Sequence, residues 1–119
     1  RVPLILRPTP LHRLPRLSRT YEIAAAFDEG RSIAQIAQET GIAPRTVVGH
    51  LWKYLQAGHT LNPAHFPRET KLDVAIQQRV LAAFAEHGPD FLRPVYEALN
   101  ETVDWDDLHI MRLWFASQR

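Results

Sequence analysis

Arg45, Thr46, His50 and Lys53 gather two cations, a hydroxyl and an imidazole within nine residues. On a helix, steps of three and four set Thr46, Gly49, His50 and Lys53 on one face, with Arg45 at its start. Guanidinium, ammonium, hydroxyl and imidazole groups of this kind bond phosphate oxygens and, less often, base edges. A second basic group precedes them. Arg1, Arg7, Arg13, Arg16 and Arg19 give the first 20 residues a charge of +5 with no acid, and Arg13, Arg16 and Arg19 are candidates for further phosphate contacts.

Other chemistries find little support. The histidines His12, His50, His59, His65, His87 and His109 show no HxxxH or HxH pairing, so no metal site is expected. Asp104, Asp106 and Asp107 cluster where a helix begins, and the macrodipole favours acids there, so they read as capping residues. No serine or threonine carries the motif of an activated nucleophile, and GxxxxGK[ST] is absent. No catalytic residue, cofactor or small-molecule substrate is expected.

The 119 residues, 45% of them hydrophobic, suffice for one core but hardly two. Without cysteine there is no disulfide framework, which suits a reducing compartment. No apolar run approaches the ~18 residues of a membrane span. The net charge of +1 conceals an asymmetry, because residues 89–119 sum to −3 against the +5 of the first 20. A start at Arg1 and a lone methionine, Met111, suggest a piece of a longer chain.

The elements that would hold these residues are all helical, since no segment alternates polar and apolar residues. Pro3, Pro8, Pro10 and Pro15 predict an extended arm or linker over residues 1–17. Ser18 or Thr20 can cap a first helix carrying Ile23, Ala26 and Phe27, stopped by Gly30. Ser32 caps a second, short helix with Ile33, Ile36 and Ala37 on one face, ended by Gly41. Pro44 opens a third that runs to Gly58, with Val47, Leu51 and Leu55 inward. Asn62-Pro63 starts a brief turn, a long helix is expected from about Glu69 to Glu86, Pro94 opens a short one, and Asp104 caps the last.

The short helix, the glycine turn and the third helix with its β-branched pair form a helix-turn-helix unit over residues 18–60, with a helical extension over 61–119. In the last helix Trp105, Leu108, Ile110, Met111, Leu113, Trp114 and Phe115 cover more than one face. It is either sandwiched inside the domain or offers a partner surface that includes Ile110 and Trp114.

Two resemblances follow from these residues. SIAQIAQETGIAPRTVVGHLWKYLQ resembles the DNA-binding unit of LuxR-type transcription regulators, with Ala43 in place of the usual capping serine and Gly49 in place of a basic residue. That likeness covers residues 20–58. Ser32 to Ala37, Thr46 to Leu51, Gln56 to Gly58, Leu92 to Leu99 and Val103 to Leu113 together resemble, in order, the helix-turn-helix domain at the C-terminus of bacterial RecQ-type helicases and helicase-associated proteins. This second likeness covers about 100 residues and includes the extension. It implies a non-catalytic accessory domain of a helicase or repair protein that binds DNA, in the bacterial cytoplasm at the nucleoid. The rival expectation is a protein-interaction module that recruits a repair or replication partner through the apolar C-terminal helix or the basic arm.

Overall fold

The computed structural model describes residues 16–118. Among them are six α-helices and no strand: α1 Arg16–Asp28, α2 Ile33–Thr40, α3 Pro44–Gln56, α4 Val74–His87, α5 Arg93–Ala98 and α6 Trp105–Ser117. The all-α expectation holds. Helix α1 starts earlier than Ser18 or Thr20, so Arg16 and Leu17 belong to it rather than to the arm. The rest of the expected arm, residues 1–15, lies outside the described residues.

Local chemistry fixes the first three helices. Ser32 accepts from the Gln35 N–H at 3.1 Å while the Gln35 side chain accepts from the Ser32 N–H at 2.9 Å, a reciprocal capping box. Gly41 ends α2 at φ 74° and its N–H bonds Ala37 O, a left-handed turn that costs glycine little. Pro44 then opens α3, where its missing N–H is no loss. Ile23, Phe27, Ile36, Val47 and Leu51 close a core between these helices.

Helix α3 has a second apolar face. Val48 is buried and Trp52 is half-buried, and α6 packs along α3 as well as along α4. Leu108, Met111, Leu113 and Trp114 of α6 are buried in the same cluster as Ile23 and Leu51. One core therefore runs through both parts, with α3 as the wall they share.

The long helix is shorter than expected. Pro63–His65 and Pro67–Glu69 are single 3-10 turns around the fully buried Phe66, whose ring packs 4.9 Å from Phe27. Thr70 is extended, and α4 begins only after Asp73, whose carboxylate accepts from the Ile76 N–H at 3.0 Å. Leu72 precedes the helix. Two breaks defeat the periodic pattern: a proline turn and a competing cap.

The three aspartates near the start of α6 are not side-chain caps. Asp104 stands at the N-cap position without a capping bond, and its carboxylate takes Lys71 Nζ at 3.2 Å instead. Asp107 is buried, accepts from the Thr70 hydroxyl at 2.9 Å and lies 3.3 Å from Lys71. Asp106 lies 3.8 Å from Arg45. Long-range partners thus replace local capping, although the acids still suit the positive end of α6.

These three neighbours should separate by mutation. Asp107→Ala strands the buried Thr70 hydroxyl and should lower the unfolding free energy by about 1–3 kcal/mol. The exposed Asp106→Ala should change it by less than about 0.5 kcal/mol. Urea denaturation of the two variants measures the contrast.

Candidate nucleic-acid interface

The outward arc of α3 is narrow. Helices α1 and α2 cover the side of Val47 and Leu51, and α6 covers the side of Val48 and Trp52. Arg45, Thr46, Gly49, Lys53 and Gln56 remain exposed on one strip, as their spacing requires. Three of the expected contact residues, Arg45, Thr46 and Lys53, are therefore brought together at the surface.

His50 is not. Its Nδ1 shares a 2.8 Å hydrogen bond with the hydroxyl of Thr20, which is itself buried in α1. The ring is half-buried, so His50 fastens α1 to α3 rather than facing outward with Thr46. The helical spacing that grouped it with the strip ignored α1, which comes up against that edge. Arg19, the residue before Thr20 in α1, is exposed and donates to Thr40 O at 3.5 Å, at the C-terminal end of α2. Arg13 and the side chain of Arg16 lie outside the described residues.

Trp114 is also placed differently from a partner-surface residue. It is 9% exposed and belongs to the core, because α6 lies between α3 and α4. Ile110 is half-buried and lines a groove between α3 and α6. That groove has a volume of about 670 Å³, with Pro44, Val48, Gly49 and Trp52 on the α3 side and His109, Ile110 and Arg112 on the α6 side.

Arg112 and Trp52 are the groove residues that spacing within α3 did not reveal. The Arg112 guanidinium carbon lies 4.1 Å from the Trp52 ring centroid, a cation–π arrangement strengthened by desolvation. Arg112 also donates to His109 Nδ1 at 3.4 Å, while its buried Nε has no hydrogen-bond partner among the described residues. Val48 and Trp52, four residues apart, were the available signal: a second apolar row on α3 needs a second helix to cover it.

Electrostatics in the groove are mixed. Arg45 at the mouth lies 3.8 Å from Asp106, and both are well exposed, so the pair holds each other weakly. Burial lowers the pKa of Arg112 despite nearby Asp90, yet a guanidinium stays charged at any ordinary pH. Burial, then Arg112 and Arg45, push the His109 imidazole below its usual range, opposed by Asp106. His109 is thus neutral near pH 7, which lets it accept from Arg112.

Among the described residues no group of three or more His, Cys, Asp or Glu side chains is placed to hold a metal ion, and no helix is long and apolar enough to cross a membrane.

The His109 shift sets a pH dependence. The unfolded chain takes up a proton near pH ~6.5, whereas the folded imidazole does so only at lower pH. Stability is complete above the unfolded pKa and declines as pH falls from there through the folded pKa. The urea midpoint should accordingly fall between pH 7 and 5, and His109→Gln should reduce that fall.

Comparisons with known proteins agree with the architecture. The chain is 26% identical to the ATP-dependent DNA helicase Pif1 of Psychrobacter sp. (strain PRwf-1), over 71% of this chain and 16% of that protein. The chain thus spans about a sixth of that relative's length. No solved structure matches it significantly. Residues 19–112 match the profile of a helix-turn-helix domain family, a range that runs from α1 into α6 and exceeds the LuxR-like stretch. By that match across both the three-helix unit and its extension, the chain belongs to this helix-turn-helix domain family.

Proposed function

We propose that this chain is a non-catalytic DNA-binding accessory domain of a helicase or of a repair or replication protein, akin to the C-terminal domain of RecQ-type helicases. It would act on the bacterial nucleoid. The observation that carries the reading is the exposed strip of α3, where Arg45, Thr46 and Lys53 stand together on the third helix of a helix-turn-helix domain. The name of the similar Psychrobacter protein, a DNA helicase, supports the setting. With no phosphate-cradling GxxxxGK[ST] in the sequence, any motor would belong to another part of such a protein.

Contacts of this type grip rather than read. Lys53 and Arg45 neutralise phosphates and Thr46 offers one hydroxyl, while Gly49 contributes no side chain. Arg19 extends the grip on the α1 side, and Arg16 at the start of the same helix and Arg13 before it would add to it. His50, tied to Thr20, supports α3 from behind. Partner recruitment through the last helix is a second reading that rests on Ile110 in the groove; Trp114 has no part in it.

Binding of single-stranded, duplex and forked DNA should weaken steeply as salt rises. Arg45→Glu combined with Lys53→Glu should remove two phosphate contacts and flatten the plot of log affinity against log salt by about one to two units. Fluorescence anisotropy across a salt series tests this. Failure to bind any of the three DNAs at low salt would sink the reading.

A further inference from the structure

Gly49 is a residue without an internal reason. It sits in the middle of the 13-residue α3, where glycine is the poorest helix former after proline. Beyond its chain neighbours and the backbone of its own helix, no atom lies within 4 Å of the place a Cβ would occupy, so close packing does not call for glycine here. Its effect is to leave bare helix backbone open at the groove between α3 and α6, the arrangement that lets a ligand approach a main chain closely.

The surroundings specify that ligand. Trp52, Val48 and Ile110 supply flat and apolar walls. Arg45 stands at the mouth beside the start of α3, which carries no side-chain cap and so presents the positive end of a helix dipole. Arg112 adds a second cation against the single acid Asp106. An anion joined to a flat, partly apolar body is complementary to this set. The groove's 670 Å³ falls within the ~300–1,000 Å³ of small-ligand clefts. A stacked base pair cannot enter such a cleft, whereas an unpaired base can. Helix α6, packed on one flank of α3, also stands in the way of deep insertion of α3 into a duplex groove, which is about one helix wide.

We propose that the groove between α3 and α6 takes an unpaired nucleotide, its base against Gly49 and Trp52 and its phosphate at Arg45 and the start of α3. This rests on the DNA-binding reading and gives it a preference for single strands. Lys53 lies farther round α3 and grips neighbouring phosphates on either kind of DNA.

The test uses the full chain at low salt with oligothymidylate and a hairpin duplex of equal charge. Among the three tryptophans, Trp105 is changed to Phe, so that Trp52 reports beside the buried Trp114. Oligothymidylate should quench the emission and bind more tightly than the hairpin, which should not quench. Ile110→Asp, which puts an acid in the groove, should weaken oligothymidylate binding roughly tenfold, the order of one lost base-stacking contact, and abolish the preference. Gly49→Leu should do the same while raising the thermal midpoint, because leucine is the better helix former; loss of binding is then not loss of folding. Oligothymidylate binding that is unquenched and indifferent to both variants, yet weakened by Lys53→Glu, overturns the groove and leaves DNA binding standing. Absence of binding to either DNA overturns both. Quenching by a phenylalanine-containing oligoglutamate peptide but not by oligothymidylate overturns the inference in favour of a protein partner.

Discussion

The packing of α6 against the Val48–Trp52 side of α3 is the constraint on which the rest depends. A three-helix unit by itself buries one side of its third helix and leaves the other to solvent. Here the third helix is gripped from two directions, by α1 and α2 through Val47 and Leu51 and by α6 through Val48 and Trp52. What remains of it for other molecules is a strip, and the edge of that strip becomes the wall of a groove. The same packing explains why Trp114 is hidden and why Arg112, on a helix far away in sequence, lies over Trp52.

The ends of α6 are secured by different means. Near its start, Asp107 takes the Thr70 hydroxyl and lies beside Lys71, while Asp104 takes Lys71. These bonds tie the segment after the proline turns to the last helix, and they matter because buried polar groups need partners more than they add net stability. Toward its other end, Leu113, Trp114 and Ser117 are buried, Ser117 through a bond to its own helix at Leu113 O. Polar pairing fixes where α6 begins, and apolar packing fixes its course along α3 and α4.

Much of this was legible in the residues. Ser32, Gly41 and Pro44 announce helix boundaries through local chemistry, and each does what its type suggests. Position on a helix face was also readable: Arg45, Thr46 and Lys53 are exposed, as spacing alone implies. The failures have two causes. His50 and the aspartates near α6 depend on partners distant in sequence, Thr20, Lys71 and Thr70 among them, and a periodicity within one helix carries no information about what lies against it. The start of α4 is instead set locally, by the proline turns and the Asp73 cap that break the pattern. Asp104, Asp106 and Asp107 look like caps because capping is the local solution available to acids. Trp52 and Arg112 were hidden for the same reason, since their contact joins residues 60 apart.

The sharing of α3 also orders events during synthesis. The chain is made from its N-terminus, and domains form as their parts emerge. Once α1, α2 and α3 have left the ribosome they can associate through Val47 and Leu51, but the neighbouring Val48–Trp52 side of α3 has no cover until α6 emerges about fifty residues later. During that interval Val48 and Trp52 form an exposed apolar ridge. A nascent chain paused before residue 105 is therefore sticky at the very helix that, when finished, presents its charged strip, and completion of α6 is what covers that ridge.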